Sequence, residues 1–220
     1  MKYKYLLFDL DGTLIDTAEG VLKSAKYALE YFGIKKELSE LKPFLGPPLT
    51  YSFTEICGLT NEEAVVAIEK YRERYRVKCN EESKVYDEIP ALLRDLKDAG
   101  YILGVATSKL EQSAVNILKY FGIADYFEYI TGSNPEETIS KKHEVIEEAL
   151  RRFGIENSRN EALMIGDMKY DDVGAKAVGI DCYGVYTGTA KAGEHEEAGA
   201  TYVAKDFGEL REGLLGKLYF

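Results

Sequence analysis

The sequence predicts an α/β protein, a doubly wound parallel sheet with a small α-helical domain inserted behind its first strand. Three observations carry this. Short apolar runs at residues 5–8, 101–106, 126–131, 162–165 and 180–186 have the length and continuity of strands buried on both faces. Most are followed by segments of helical period, two of which stop cleanly at a glycine, the alternation that builds a parallel sheet. The interval between the first two runs, roughly ninety residues, far exceeds an ordinary connection and calls for an inserted domain.

Taken in order, the run at 5–8 opens the sheet. Residues 21–32 then carry apolar side chains at helical spacing, and Thr60-Asn61-Glu62-Glu63 forms a capping box that opens a second helix extending to about residue 77. Residues 84–87 lead back to the core, where a helix over 87–99 ends at Gly100 before the strand at 101–106. Residues 111–121 stop at Gly122. Residues 143–153, with Val145, Ile146, Ala149, Leu150 and Phe153 on one face, stop at Gly154. The domain boundaries follow: 1–16 and 86–220 form the α/β core, and 17–85 the helical insertion.

Composition limits the function. The 220 residues, 45% of them hydrophobic, can bury a substantial core. A net charge of −10 disfavours loose binding to nucleic acid or to an anionic membrane, so an anionic substrate needs a local positive device. No apolar stretch is long enough to span a bilayer, and no basic segment precedes an apolar run at the N-terminus, which predicts a cytoplasmic protein. Cys57, Cys79 and Cys182, odd in number and without CxxC spacing, read as reduced structural thiols. His143 and His195 sit among glutamates and read as solvated helix-surface residues.

Ligands of open α/β sheets bind outside the carboxyl ends of the strands, so the residues following each apolar run carry the chemistry. After the first come Asp9-Leu10-Asp11-Gly12-Thr13, two carboxylates on one side of an extended stretch with a glycine that permits a close turn; an ordinary Asx or glycine turn reads the same way. After the second come Thr107-Ser108-Lys109, hydroxyls suited either to a phosphoryl oxygen or to capping the next helix. Ser140-Lys141-Lys142 opens another helix, where lysine opposes the helix dipole. Gly166-Asp167 is followed by Asp171 and Asp172, a build-up of negative charge that is costly unless a cation joins it.

In this order, DLDGT at 9–13, a hydroxyl at 107, a lysine at 142 and GDMKYDDVGAKAVG at 166–179 resemble the haloacid dehalogenase superfamily over nearly the whole chain. LGPPL at 45–49 and the KHEVIEEAL segment resemble its phosphoglycolate phosphatase branch more narrowly, nucleotidase-like members included. The resemblance implies a Rossmann-like core with a helical cap, and a phosphatase that hydrolyses small phosphomonoesters through an aspartyl-phosphate. It implies Asp9 as nucleophile, Asp11 as general acid and then base, Thr107 binding a phosphoryl oxygen and Lys142 neutralising nucleophile and phosphate. Mg²⁺ would be held by Asp9, the backbone carbonyl of Asp11 and Asp167, with Asp171 orienting Lys142 or a metal-bound water.

Gly12, Thr13, Thr107 and Ser108 are the implied substrate-binding residues of the core, and Gly46 and Pro47 those of the cap, although Gly46-Pro47-Pro48 also reads as a plain helix breaker. The sequence departs from the family pattern in two places: Asp172 stands where relatives are generally apolar, and Lys141-Lys142 lacks the usual Lys-Pro pairing. Spacing to Ala149-Leu150 favours Lys142. The expected partner is a small phosphorylated metabolite, with neither nucleic acid nor membrane, acted on by a monomer or homodimer. The alternatives are a 5'-nucleotidase-like phosphatase and a β-phosphoglucomutase-like phosphotransferase, which would share all four core motifs. A signalling receiver domain, also an acidic Mg²⁺ site at strand ends, has no use for an inserted helical domain.

Overall fold

The computed structural model describes residues 2–135, 138–188 and 190–216. The chain opens with β1 (Tyr5–Phe8) and the two-residue β2 (Ile15–Asp16), then α1 (Ala18–Tyr31), a 3-10 segment at Leu38–Phe44, the single turn α2 (Leu49–Tyr51) running into a π turn at Ser52–Ile56, and α3 (Asn61–Lys78). It returns through β3 (Lys84–Val85), which pairs with β2. There follow α4 (Ile89–Asp98), β4 (Ile102–Leu110), α5 (Glu111–Tyr120), β5 (Tyr129–Ser133), α6 (Lys142–Phe153), β6 (Ala162–Gly166), α7 (Lys169–Val178), β7 (Asp181–Val185), α8 (Glu194–Ala198), β8 (Tyr202–Ala204) and α9 (Phe207–Leu215).

The chain divides into two compact units, Asp16–Lys84 and the rest. In the larger, six parallel strands run in the order β5-β4-β1-β6-β7-β8. Winding goes outward from β1 in both directions, so the strand order reverses between β1 and β6. The pleat explains why the strands are apolar throughout. Leu6 and Phe8 pack on one side with Leu92 and Leu96 of α4, Ile117 of α5 and Leu210 of α9. Leu7 and Met164 pack on the other side with Val145, Ile146 and Leu150 of α6 and Ala175 of α7.

Local signals set the helix ends. Gly154 and Gly179 close α6 and α7 in the left-handed conformation that residues with a Cβ adopt reluctantly. In the smaller unit, the Thr60 hydroxyl accepts from Glu63 N (3.2 Å) and Thr60 N donates back to the Glu63 carboxylate (2.9 Å), so α3 starts at a complete capping box. This unit packs Ala25, Leu29, Leu41, Phe44, Phe53, Tyr71 and Tyr75 into its own core, with Phe44 edge-on to Phe53.

Three expectations change. The strand expected over 126–131 begins only at Tyr129, because Ala124–Tyr126 closes a 3-10 turn first. The strand expected to stop at Ala106 runs on to Leu110 through a register shift against β5. His195, expected on a solvated surface, is wholly buried: its glutamate neighbours face outward and it alone turns in, onto Asp172. His143 is exposed.

Candidate active site

The sheet register builds the site. Phe8 pairs with Val105 on one side and Ile165 on the other, and Asp9 N donates to Ile165 O (2.8 Å), so the residues that follow β1, β4 and β6 meet at one edge. The chain turns at once beyond Asp9: the amides of Thr13, Leu14 and Ile15 all donate to Leu10 O. Gly12 takes φ 88° in this turn, and a Cβ there would overlap the Asp167 carboxylate. Gly166 likewise leaves room for the Asp171 side chain.

Asp9, Asp167 and Asp171 each bring a carboxylate oxygen within 4.8 Å of the others. Asp167 is fixed by the Thr13 hydroxyl, which donates to it (2.9 Å), and Asp171 accepts from Met168 N (3.2 Å). Lys142, the first residue of α6, is 9% exposed and joins the group: its Nζ lies 2.6 Å from Asp9 Oδ1 and 2.8 Å from Asp171 Oδ1, and donates to Ala106 O (3.1 Å). Lys141 is exposed.

One ammonium among three carboxylates leaves an excess of negative charge. Burial first, opposed by Lys142 and reinforced by Asp171 and Asp11, pushes the Asp9 carboxyl up to about 6. Burial, then Asp171 and Asp9, hold Asp167 well above the usual carboxylate range. Lys142 moves up because its two acidic partners outweigh the burial that opposes its charge. Such a set of hard oxygens, short of positive charge and fixed by its own hydrogen bonds, fits a small divalent cation.

The other expected residues fall in different places. Asp11 does not share the carboxylate cluster; both its oxygens accept from Lys109 Nζ (2.9 and 3.0 Å). Asp9 and Asp11, expected to point the same way, thus take different partners because the chain has already turned at Asp11. Thr107 is buried at the end of the site, and its hydroxyl accepts from Lys109 N (3.2 Å), whereas Ser108 is exposed. Neither caps α5, whose N-cap position is Leu110. Thr13, expected to touch substrate, is fully buried with its hydroxyl turned to Asp167. Gly46 (φ 103°) and Pro47 belong to the helical unit, in the turn between the 3-10 segment and α2. Lys109, named in the sequence only beside Thr107 and given no role there, holds Asp11, a partner 98 positions away that no local pattern points to.

A family model described as haloacid dehalogenase-like hydrolase matches residues 6–185. A 5'-nucleotidase of Pseudomonas aeruginosa is 38% identical over 215 residues, covering 97% of this chain and 96% of that protein. A Mycobacterium tuberculosis protein named tyrosine-protein kinase PtkA is 37% identical over 95% of this chain and 72% of its own length. The crystal structure of a predicted phosphatase from Clostridium acetobutylicum superposes with a TM-score of 0.93 at 43% identity, covering 99% of this chain and all of that one.

Proposed function

This chain belongs to the haloacid dehalogenase-like hydrolase family and is a phosphatase, and on that premise we propose that it hydrolyses small phosphomonoesters through an aspartyl-phosphate on Asp9. The observation that carries this reading is the pairing of Asp9 with a buried lysine inside a carboxylate cluster, while a second acid, Asp11, stands apart with a different cation. That division suits two chemical roles.

Asp9 attacks phosphorus as the ester bond breaks, and Asp11 gives its proton to the departing alkoxide, which leaves as the alcohol. Asp11, now ionised, takes a proton from the water that attacks the aspartyl-phosphate, releasing inorganic phosphate and restoring both acids. Lys142 offsets the charge of Asp9 and the phosphoryl group, and the Thr107 hydroxyl, which accepts from Lys109 N, keeps its proton to donate to a phosphoryl oxygen. Asp9, Asp167 and Asp171, with the backbone carbonyl of Asp11, would hold Mg²⁺, which when bound neutralises the carboxylates and draws charge from the phosphoryl oxygens.

The substrate is a small phosphorylated metabolite in the cytoplasm, met by a monomer or homodimer without nucleic acid or membrane. No helix among the described residues is long and apolar enough to cross a membrane. The name of the Pseudomonas relative favours nucleoside 5'-monophosphates as the first class to screen, with 2-phosphoglycolate beside them and glucose 1-phosphate as the check for mutase activity. In a phosphate-release screen with Mg²⁺, Asp9→Asn should lower turnover by at least about a thousandfold with the fold intact, and EDTA should remove wild-type activity until Mg²⁺ is restored. Wild-type turnover in the Asp9→Asn protein would remove the nucleophile, and turnover in EDTA would remove the metal.

A further inference from the structure

One buried acid–histidine pair has no part in this chemistry. Asp172 and His195 are 1% and 0% exposed, and His195 Nδ1 lies 2.7 Å from Asp172 Oδ2. His195 Nε2 meets no acceptor among the described residues, so Nδ1–H is the ring's donor. The surroundings are shaped for this ring. A Cβ at Gly184 on β7 would overlap the imidazole, and Tyr186 stands edge-on to it with centroids 4.9 Å apart.

The pair closes a loop of contacts around the carboxylate cluster. Asp172 follows Asp171 directly in the first turn of α7. His195 lies on α8, and the residues just after β7 touch the site: the Thr187 hydroxyl donates to Gly12 O (2.8 Å), and Gly188 lies so close to Asp167 that a Cβ would overlap its carboxylate. Gly188 thus rests on Asp167, and His195 of α8 is bonded to Asp172, the neighbour of Asp171. Burying polar side chains costs free energy even when they are hydrogen-bonded to each other, so packing alone does not explain why these two occupy the position.

We propose that Asp172 and His195 are positioning residues, a bracket that holds Asp167 and Asp171 at the spacing a divalent cation needs. The proposal rests on the metal reading above. It predicts that breaking the bracket weakens Mg²⁺ binding itself, which a merely structural pair would not do. The test is calorimetric titration of Mg²⁺ into the full chain, with thermal unfolding in EDTA measured alongside. His195→Leu should raise the Mg²⁺ Kd by about tenfold or more, whereas His195→Asn, whose amide can donate from the position of Nδ1, should stay within about threefold of wild type. If His195→Leu does not fold because buried Asp172 loses its His195 partner, the double variant Asp172→Leu/His195→Leu removes the bond without leaving that carboxyl unmatched and should show the same loss. A folded His195→Leu or double variant with a Kd within about threefold of wild type overturns the bracket. Wild-type protein that takes up no Mg²⁺ overturns the metal reading and the bracket with it.

Discussion

The two units bury different things. In the helical unit, the buried polar side chains among the described residues are the hydroxyls of Thr17, Ser24 and Ser52, and its ions stay nearer the surface, as where Arg74 forks onto Glu82 at 2.8 and 2.7 Å. In the α/β unit, Lys142, Asp167, Asp171, Asp172 and His195 are all buried, four of them within or beside one carboxylate cluster. Apolar burial is favourable wherever it occurs, but a buried charge is tolerated only where partners compensate it. The helical unit is organised for packing, and the edge of the sheet gives up stability to keep acids in place.

The sharpest way to break this contrast is at Lys142. Lys142→Met keeps the aliphatic stem and removes the ammonium, leaving Asp9 and Asp171 facing each other. Turnover should fall by about a thousandfold or more. Stability at neutral pH should fall by roughly 3–5 kcal/mol, read by urea unfolding without metal. Activity near wild type would mean that the buried lysine serves packing alone.

How much of this was legible in the sequence follows the range of each interaction. The capping box at Thr60 and Glu63 and the glycine stops at 122 and 154 are complete within a few residues, and the helices begin and end close to them. The strand at 5–8 is legible because its residues are buried on both faces and leave an unbroken apolar run. Asp9, Thr107, Lys142 and Asp167 could be picked out because a parallel sheet brings all its carboxyl ends to one edge, whatever the detail between them. Pairings across the fold could not. Nothing near Lys109 names Asp11, and the three glutamates flanking His195 describe the outer side of α8 while hiding the one residue that turns in. The start of β5 is not legible locally, because the apolar residues of the 3-10 turn before it look like strand.

The helical unit offers the complementary test. Phe53 is fully buried against Phe44, so Phe53→Ala should lower stability by about 3–5 kcal/mol through lost burial and the cavity left behind. Calorimetric Mg²⁺ affinity of the folded variant should match wild type, since Phe53 belongs to the core of the helical unit and the carboxylates to the α/β unit. A weakened metal site would show that the two units are energetically coupled.

The smallest expected effect separates the units by pH. The folded-state pKa of Asp9 lies above its unfolded value, because burial and the neighbouring acids outweigh Lys142, so the metal-free folded protein keeps a proton that the unfolded chain releases. The folded state binds more protons, and stability must therefore fall as pH rises through the window from about 4 to about 6, by up to about 3 kcal/mol for Asp9. Asp167 shifts in the same direction, through burial and then Asp171 and Asp9, and adds to the decline. A divalent cation favours the ionised carboxylates, so stabilisation by Mg²⁺ should grow across the same window, measured as the difference in urea midpoint with Mg²⁺ and with EDTA. Asp9→Asn removes the share of that slope that Asp9 contributes, while the penalty of Phe53→Ala stays level across it, because no buried acid is found among the described residues of the core that Phe53 fills. A Mg²⁺ effect that does not change with pH would mean that the cation does not meet these carboxylates.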